Sequence, residues 1–164
     1  MAEIELYNSK IWIDYLENNF NECEYFFKFA LIWMSFNSYY EIKYRAIKYE
    51  KNKIEKFCID NENLYNNLML NNEEFKKIVV DFKNTKYLDG SDNRECVASE
   101  TRDQKFYFKD DCCSCVDFIN VVYQIRNNFF HGSKDVSNHY NNLIMQWAYK
   151  YFSIFWKESI NKNN

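Results

Sequence analysis

Apolar positions recur every three or four residues in three long segments of the chain, and this spacing predicts amphipathic helices. From about Asn21 to Arg45, the positions Phe26, Ala30, Trp33, Asn37, Tyr40 and Tyr44 follow one another at alternating intervals of four and three. From about Cys112 to Phe130, one seam holds Val116, Ile119, Tyr123, Arg126 and Phe130, with Phe118, Val122, Ile125 and Phe129 beside it. The last segment, opened by Ser137 as an N-cap, places Tyr140, Ile144, Trp147, Tyr151 and Ile154 on one face. Shorter helices are predicted at 9–19, 47–58, 62–69 and 72–83. Between Asn84 and Asp111 the period is lost: the stretch is polar, contains Gly90, and offers only "KFYF" as a short strand. Such long loops are functional or mobile more often than inert, and this one reads as an excursion between helices. The expectation is an all-α chain forming one domain over residues 1–164.

Composition sharpens this. The chain has no proline, only two glycines (Gly90 and Gly132) and 20% aromatic residues, which suits long helices around an aromatic core rather than the turns of an all-β fold. The opening "MAEIELYNSK" lacks a basic head and apolar run, so no secretory leader is expected. "FFKFALIWMSF" is too short for a membrane span. Six cysteines without a leader read as reduced thiols in a cytoplasm. The formal charge of −3 argues against broad, non-specific polyanion binding but leaves room for a small basic site.

Two polar residues stand inside apolar seams. Helical residues advance by about 100°, and the apolar side chains from Phe118 to Phe130 fill an arc of roughly 160° with Arg126 in its middle. Arginine cannot shed its charge, so Arg126 must meet a carboxylate, carbonyls or a ligand anion. Asn37 is expected at the centre of its own helix's apolar face, where a buried amide can also serve only to fix helix register. Five residues beyond Arg126 comes His131, followed by Gly132, a combination expected to end the helix. A histidine in that last turn has a bland role, complementing the helix dipole, and a functional one, turning toward the arginine or a symmetry mate.

"IRNNFFHG" resembles the signature of the HEPN superfamily, with Arg126, Asn127, three further residues and His131, and "FALIWMSFNSYY" resembles the helix preceding that motif, with Phe36-Asn37 as its aromatic–Asn pair. The resemblance covers about a fifth of the chain. It implies an up-and-down helical bundle, dimerising around the motif helices. It further implies metal-independent RNA cleavage through the 2′-hydroxyl, with no cofactor, in a toxin or antiviral defence setting. Arg126 and His131 would be catalytic; Asn127 would orient the imidazole or contact phosphate, and Asn37 would line the cleft. RNA is then the substrate, and an antitoxin or neighbouring subunit a further partner. Other family members are non-catalytic modules that bind a nucleotide, RNA or protein, and that alternative stands beside the first, as does a purely structural helical subunit in which Arg126 meets a buried acid. HEPN toxins paired with a small nucleotidyltransferase often carry a modified tyrosine two residues after the histidine; here that residue is Ser133, so the resemblance does not extend to that partnership.

Other patterns carry less. Cys112 and Cys115 form a lone C-x-x-C without two further ligands at a zinc spacing. His139 reads as a surface residue near the start of the last helix. Glu73-Glu74 and Asp110-Asp111 read as solvated acids, and the mixed run "KYRAIKYEKNKIEK" at 43–56 reads as a solvated helix surface. No P-loop, dinucleotide fingerprint, serine hydrolase elbow or HExxH is present.

Overall fold

The computed structural model describes residues 25–84, 99–101, 104–106, 114–130 and 139–162. Six helices account for nearly all of these: α1 (Tyr25–Lys43), α2 (Glu50–Asp60), α3 (Glu62–Asn71), α4 (Glu73–Asn84), α5 (Cys115–Phe130) and α6 (His139–Lys162). The fold is an all-α bundle. The expected helix at 9–19 and the expected cap at Ser137 lie outside the described residues.

Local sequence explains where several helices start. The Ser114 hydroxyl accepts the Asp117 amide at 3.1 Å and donates to the Asp117 carboxylate at 2.6 Å, closing the first turn of α5. The Asn72 side chain accepts the Phe75 amide at 2.9 Å and does the same for α4.

The long α6 is the spine: α1 packs along it, α4 lies against it, and α2 lies against α5. The core is aromatic, as the composition implies. Phe36 sits at its centre, with ring centroids of Tyr40 and Phe57 at 4.8 Å, Phe152 at 5.1 Å and Trp156 at 5.2 Å, mostly edge-on. Edge-to-face pairs of this kind add about 0.5–1.5 kcal/mol each beyond area burial. The buried Trp156 indole is satisfied by Ser35 Oγ at 2.9 Å.

Within the excursion, Ser99–Thr101 and Gln104–Phe106 form an antiparallel two-stranded ribbon, with Ser99 opposite Phe106 and Thr101 opposite Gln104. The second strand overlaps the expected "KFYF"; the first is polar and carries no apolar alternation that could announce it.

Two faces differ from their expected orientation. On α1 the buried side is centred on Phe29, Ile32, Phe36 and Tyr39, which puts Asn37 roughly a third of a turn away. Asn37 is half-buried at the edge of that face, not at its centre. On α5 the buried residues are Cys115, Phe118, Ile119, Val121, Val122, Ile125, Asn128 and Phe129, so Arg126 also sits at an edge. Tyr123 and Phe130 pulled the expected arc toward Arg126, but neither is fully buried. The polar residue in the core of α5 is Asn128, which takes a hydrogen bond from Gln124 Nε2 at 3.2 Å.

Candidate functional site

α1 and α5 meet where Trp33 faces Tyr123 and Arg126, and α2 packs against both helices there. Trp33 and Tyr123 stand 6.2 Å apart across this junction. Arg126 lies over three rings, with its guanidinium carbon 5.8 Å from the centroids of Trp33 and Tyr123 and 5.4 Å from that of Phe130. This is an aromatic box around a permanent cation, a geometry that attracts through the ring quadrupoles.

The charge is balanced by Glu50, a residue of the mixed-charge run 43–56 that is expected on a solvated surface. Glu50, the first residue of α2, brings Oε1 to 3.3 Å from Arg126 Nη2. The same carboxylate accepts the Tyr40 hydroxyl of α1 at 2.5 Å and the Tyr123 hydroxyl of α5 at 3.0 Å. A carboxylate in the first turn of a helix is also favoured by the helix dipole. Three helices thus meet at one carboxylate. The clue lay in the chain: Glu50, Ile54 and Phe57 follow helical spacing, and Ile54 and Phe57 are buried. The alternating charges around Glu50 hid that spacing.

Arg126 Nη1 donates to Asn127 Oδ1 at 2.7 Å, so the motif's second residue holds the arginine from its own helix. About a fifth of the Arg126 side chain remains exposed. Two buried donors in this box, Arg126 Nε and Trp33 Nε1, have no hydrogen-bond acceptor among the described residues. Unpaired buried donors are uncommon and call for an explanation; here both belong to side chains around the same cation.

The tyrosine hydroxyls respond to their setting. Burial pushes the Tyr40 hydroxyl well above the ordinary tyrosine range, and its hydrogen bond to Glu50 adds to this. Tyr123 is raised by burial too, with Asn127 acting against it and the Glu50 carboxylate reinforcing it.

Asn37 occupies the α1 position four residues after Trp33 and three before Tyr40, in line with both contacts to this junction. Arg126 and Asn127 are joined at this junction by a hydrogen bond, and Asn37 lies on the stretch of α1 between Trp33 and Tyr40 that contributes to it. His131 follows α5 directly in the chain and lies outside the described residues. His139 is the first residue of α6.

Cys115 opens α5 and is buried and reduced, as is Cys58 of α2. Burial, and then the hydrogen bond its S–H donates to the neighbouring Cys115 sulfur, raises the Cys58 thiol well above its usual value. These two sulfurs meet in the core, a juxtaposition their spacing of 57 positions gave no hint of. No group of three or more possible metal ligands occurs among the described residues. A separate cavity of about 390 Å³ between α4 and α6 is lined by residues such as Lys77, Trp147 and Lys150 and shares none with the Arg126 junction. No described helix is long and apolar enough to cross a membrane.

No protein-family model matches the chain, and no match was found among curated proteins or solved structures.

Proposed function

We propose that the chain is a metal-independent endoribonuclease of HEPN type, acting as a homodimer around the motif helices and serving as a toxin or antiviral effector in the cytoplasm. The observation that carries this reading is Arg126: a permanent cation in an aromatic box, still partly open, beside two buried donors without acceptors. Its place on the last full turn before His131 is the spacing by which the chain resembles the family.

The chemistry needs little else. The 2′-oxygen attacks phosphorus while a base takes its proton; the bond from phosphorus to the 5′-oxygen breaks while an acid returns a proton to that oxygen. Histidine titrates near neutral pH and fills either proton role. A two-fold dimer supplies two histidines, one for each role. Arg126 supplies donors to the crowded phosphorane, where developing charge is stabilised most. Asn127 steadies Arg126, and Asn37 lines the approach.

One observation favours a second reading. Arg126 already has an acid partner in Glu50, which is what a non-catalytic module, built to bind RNA, a nucleotide or a protein, would also need. Incubating purified protein with mixed RNA in EDTA, wild type beside His131→Ala, separates the two. The ribonuclease cleaves as wild type only and leaves 2′,3′-cyclic phosphate ends; equal cleavage by His131→Ala contradicts the reading, and binding without turnover by either favours the module.

A further inference from the structure

Glu50 forms the ion pair with Arg126, and nothing in the reading above gives it a part in the reaction. We propose that Glu50 is a positioning residue for Arg126, fixing the direction in which the guanidinium presents its remaining N–H groups. The inference rests on the phosphate-handling role of Arg126.

The geometry separates what each neighbour can do. The three rings hold the cation by contacts over their faces, and such contacts depend little on rotation of the guanidinium within its own plane. Rotation is opposed at the two terminal nitrogens: Nη1 donates a hydrogen bond to Asn127 Oδ1, and Nη2 is drawn to the Glu50 carboxylate in an ion pair at 3.3 Å. Asn127 is the next residue of the same helix and moves with Arg126. Glu50 belongs to α2 and is itself tied to α1 through Tyr40 and to α5 through Tyr123. Glu50 therefore refers the orientation of Arg126 to the rest of the bundle, which Asn127 cannot do.

The same carboxylate also offsets part of the positive charge that would draw a phosphate. These effects act on different steps. Neutralisation weakens binding of substrate and transition state alike, whereas orientation decides whether donors meet the phosphorane when the bond breaks. Removing the charge while keeping the shape should thus slow turnover without weakening binding.

The test compares full-length wild type with Glu50→Gln, using ¹⁵N-arginine labelling and single-substrate RNA kinetics. Wild type should show a sharp Arg126 Nε–H resonance displaced from that of exposed arginines. Glu50→Gln should move it to the averaged position and lower kcat about a hundredfold, the scale of a small misplacement, with KM no higher. A sharp, displaced resonance and a wild-type kcat in Glu50→Gln overturn the assignment. Loss of the displaced resonance in Glu50→Gln, in a protein whose wild type cleaves no RNA, upholds the positioning role and instead removes the ribonuclease reading. Should Glu50→Gln fail to fold, Tyr123→Phe, which keeps the ring and removes one hydroxyl from Glu50, carries the same comparison: a broadened resonance supports the proposal and an unchanged one overturns it.

Discussion

An arginine side chain is a permanent cation, so the neighbours of Arg126 must accommodate one. They do so with one carboxylate, one amide and three rings. Because the pair is partly exposed, replacing Arg126 with methionine, which keeps apolar contact with the rings, should cost only about 1–2 kcal/mol in denaturant unfolding, well short of a fully buried pair. Tyr40 gives a prediction with a definite sign. Its hydroxyl is raised in the folded protein by burial and by Glu50, whereas the unfolded chain has the ordinary tyrosine value of about 10. Above that value the unfolded chain loses a proton that the folded one keeps, so stability falls as pH rises. The melting temperature should therefore drop more steeply from about pH 9 to about pH 11 in wild type than in Tyr40→Phe. Equal slopes would mean that the hydroxyl does not titrate as its setting demands.

At the scale of the helix, periodicity located the described helices closely, because an interior this aromatic enforces the spacing along α1, α5 and α6. The exception is the end of α6, which runs on from Ile154, the last residue of the expected face, to Lys162. Periodicity misjudged rotation. Tyr123 and Phe130 are apolar enough to count as core in a spacing argument, yet both are partly exposed beside Arg126, and counting them drew the centre of α5 toward the arginine. Asn128 lay on the true core face and was overlooked because a polar residue carries no weight in an apolar tally. The junction was legible in part: Arg126 and Asn127, which the structure joins by a hydrogen bond, could be named from pattern and resemblance. Glu50 could not, since its partners Tyr40 and Tyr123 lie 10 and 73 positions away and only the packing of three helices brings them together. The start of α5 offers a check on local control. Ser114→Ala removes the hydroxyl that caps Asp117 and should lower stability by about 1 kcal/mol while leaving the Arg126 resonance in place. A change in that resonance would show that the cap sets the position of the whole motif helix.

For the whole molecule, the proposed reaction uses two proton transfers with one histidine per motif, and the two-histidine scheme therefore calls for two-fold association. Light scattering should therefore give twice the 20.2 kDa of one chain at the concentrations at which RNA is cleaved; a monomeric mass for the active species would contradict the two-histidine scheme. The central claim is that Arg126 serves phosphate chemistry and not the fold alone. Its most direct test is the single-turnover rate of RNA cleavage by Arg126→Met, measured in EDTA on protein shown to be folded and of unchanged mass. A loss of about a hundred- to a thousandfold, the scale expected when a transition-state donor is removed, is the predicted result. A folded Arg126→Met that cleaves at the wild-type rate would reduce Arg126 and Glu50 to a structural ion pair.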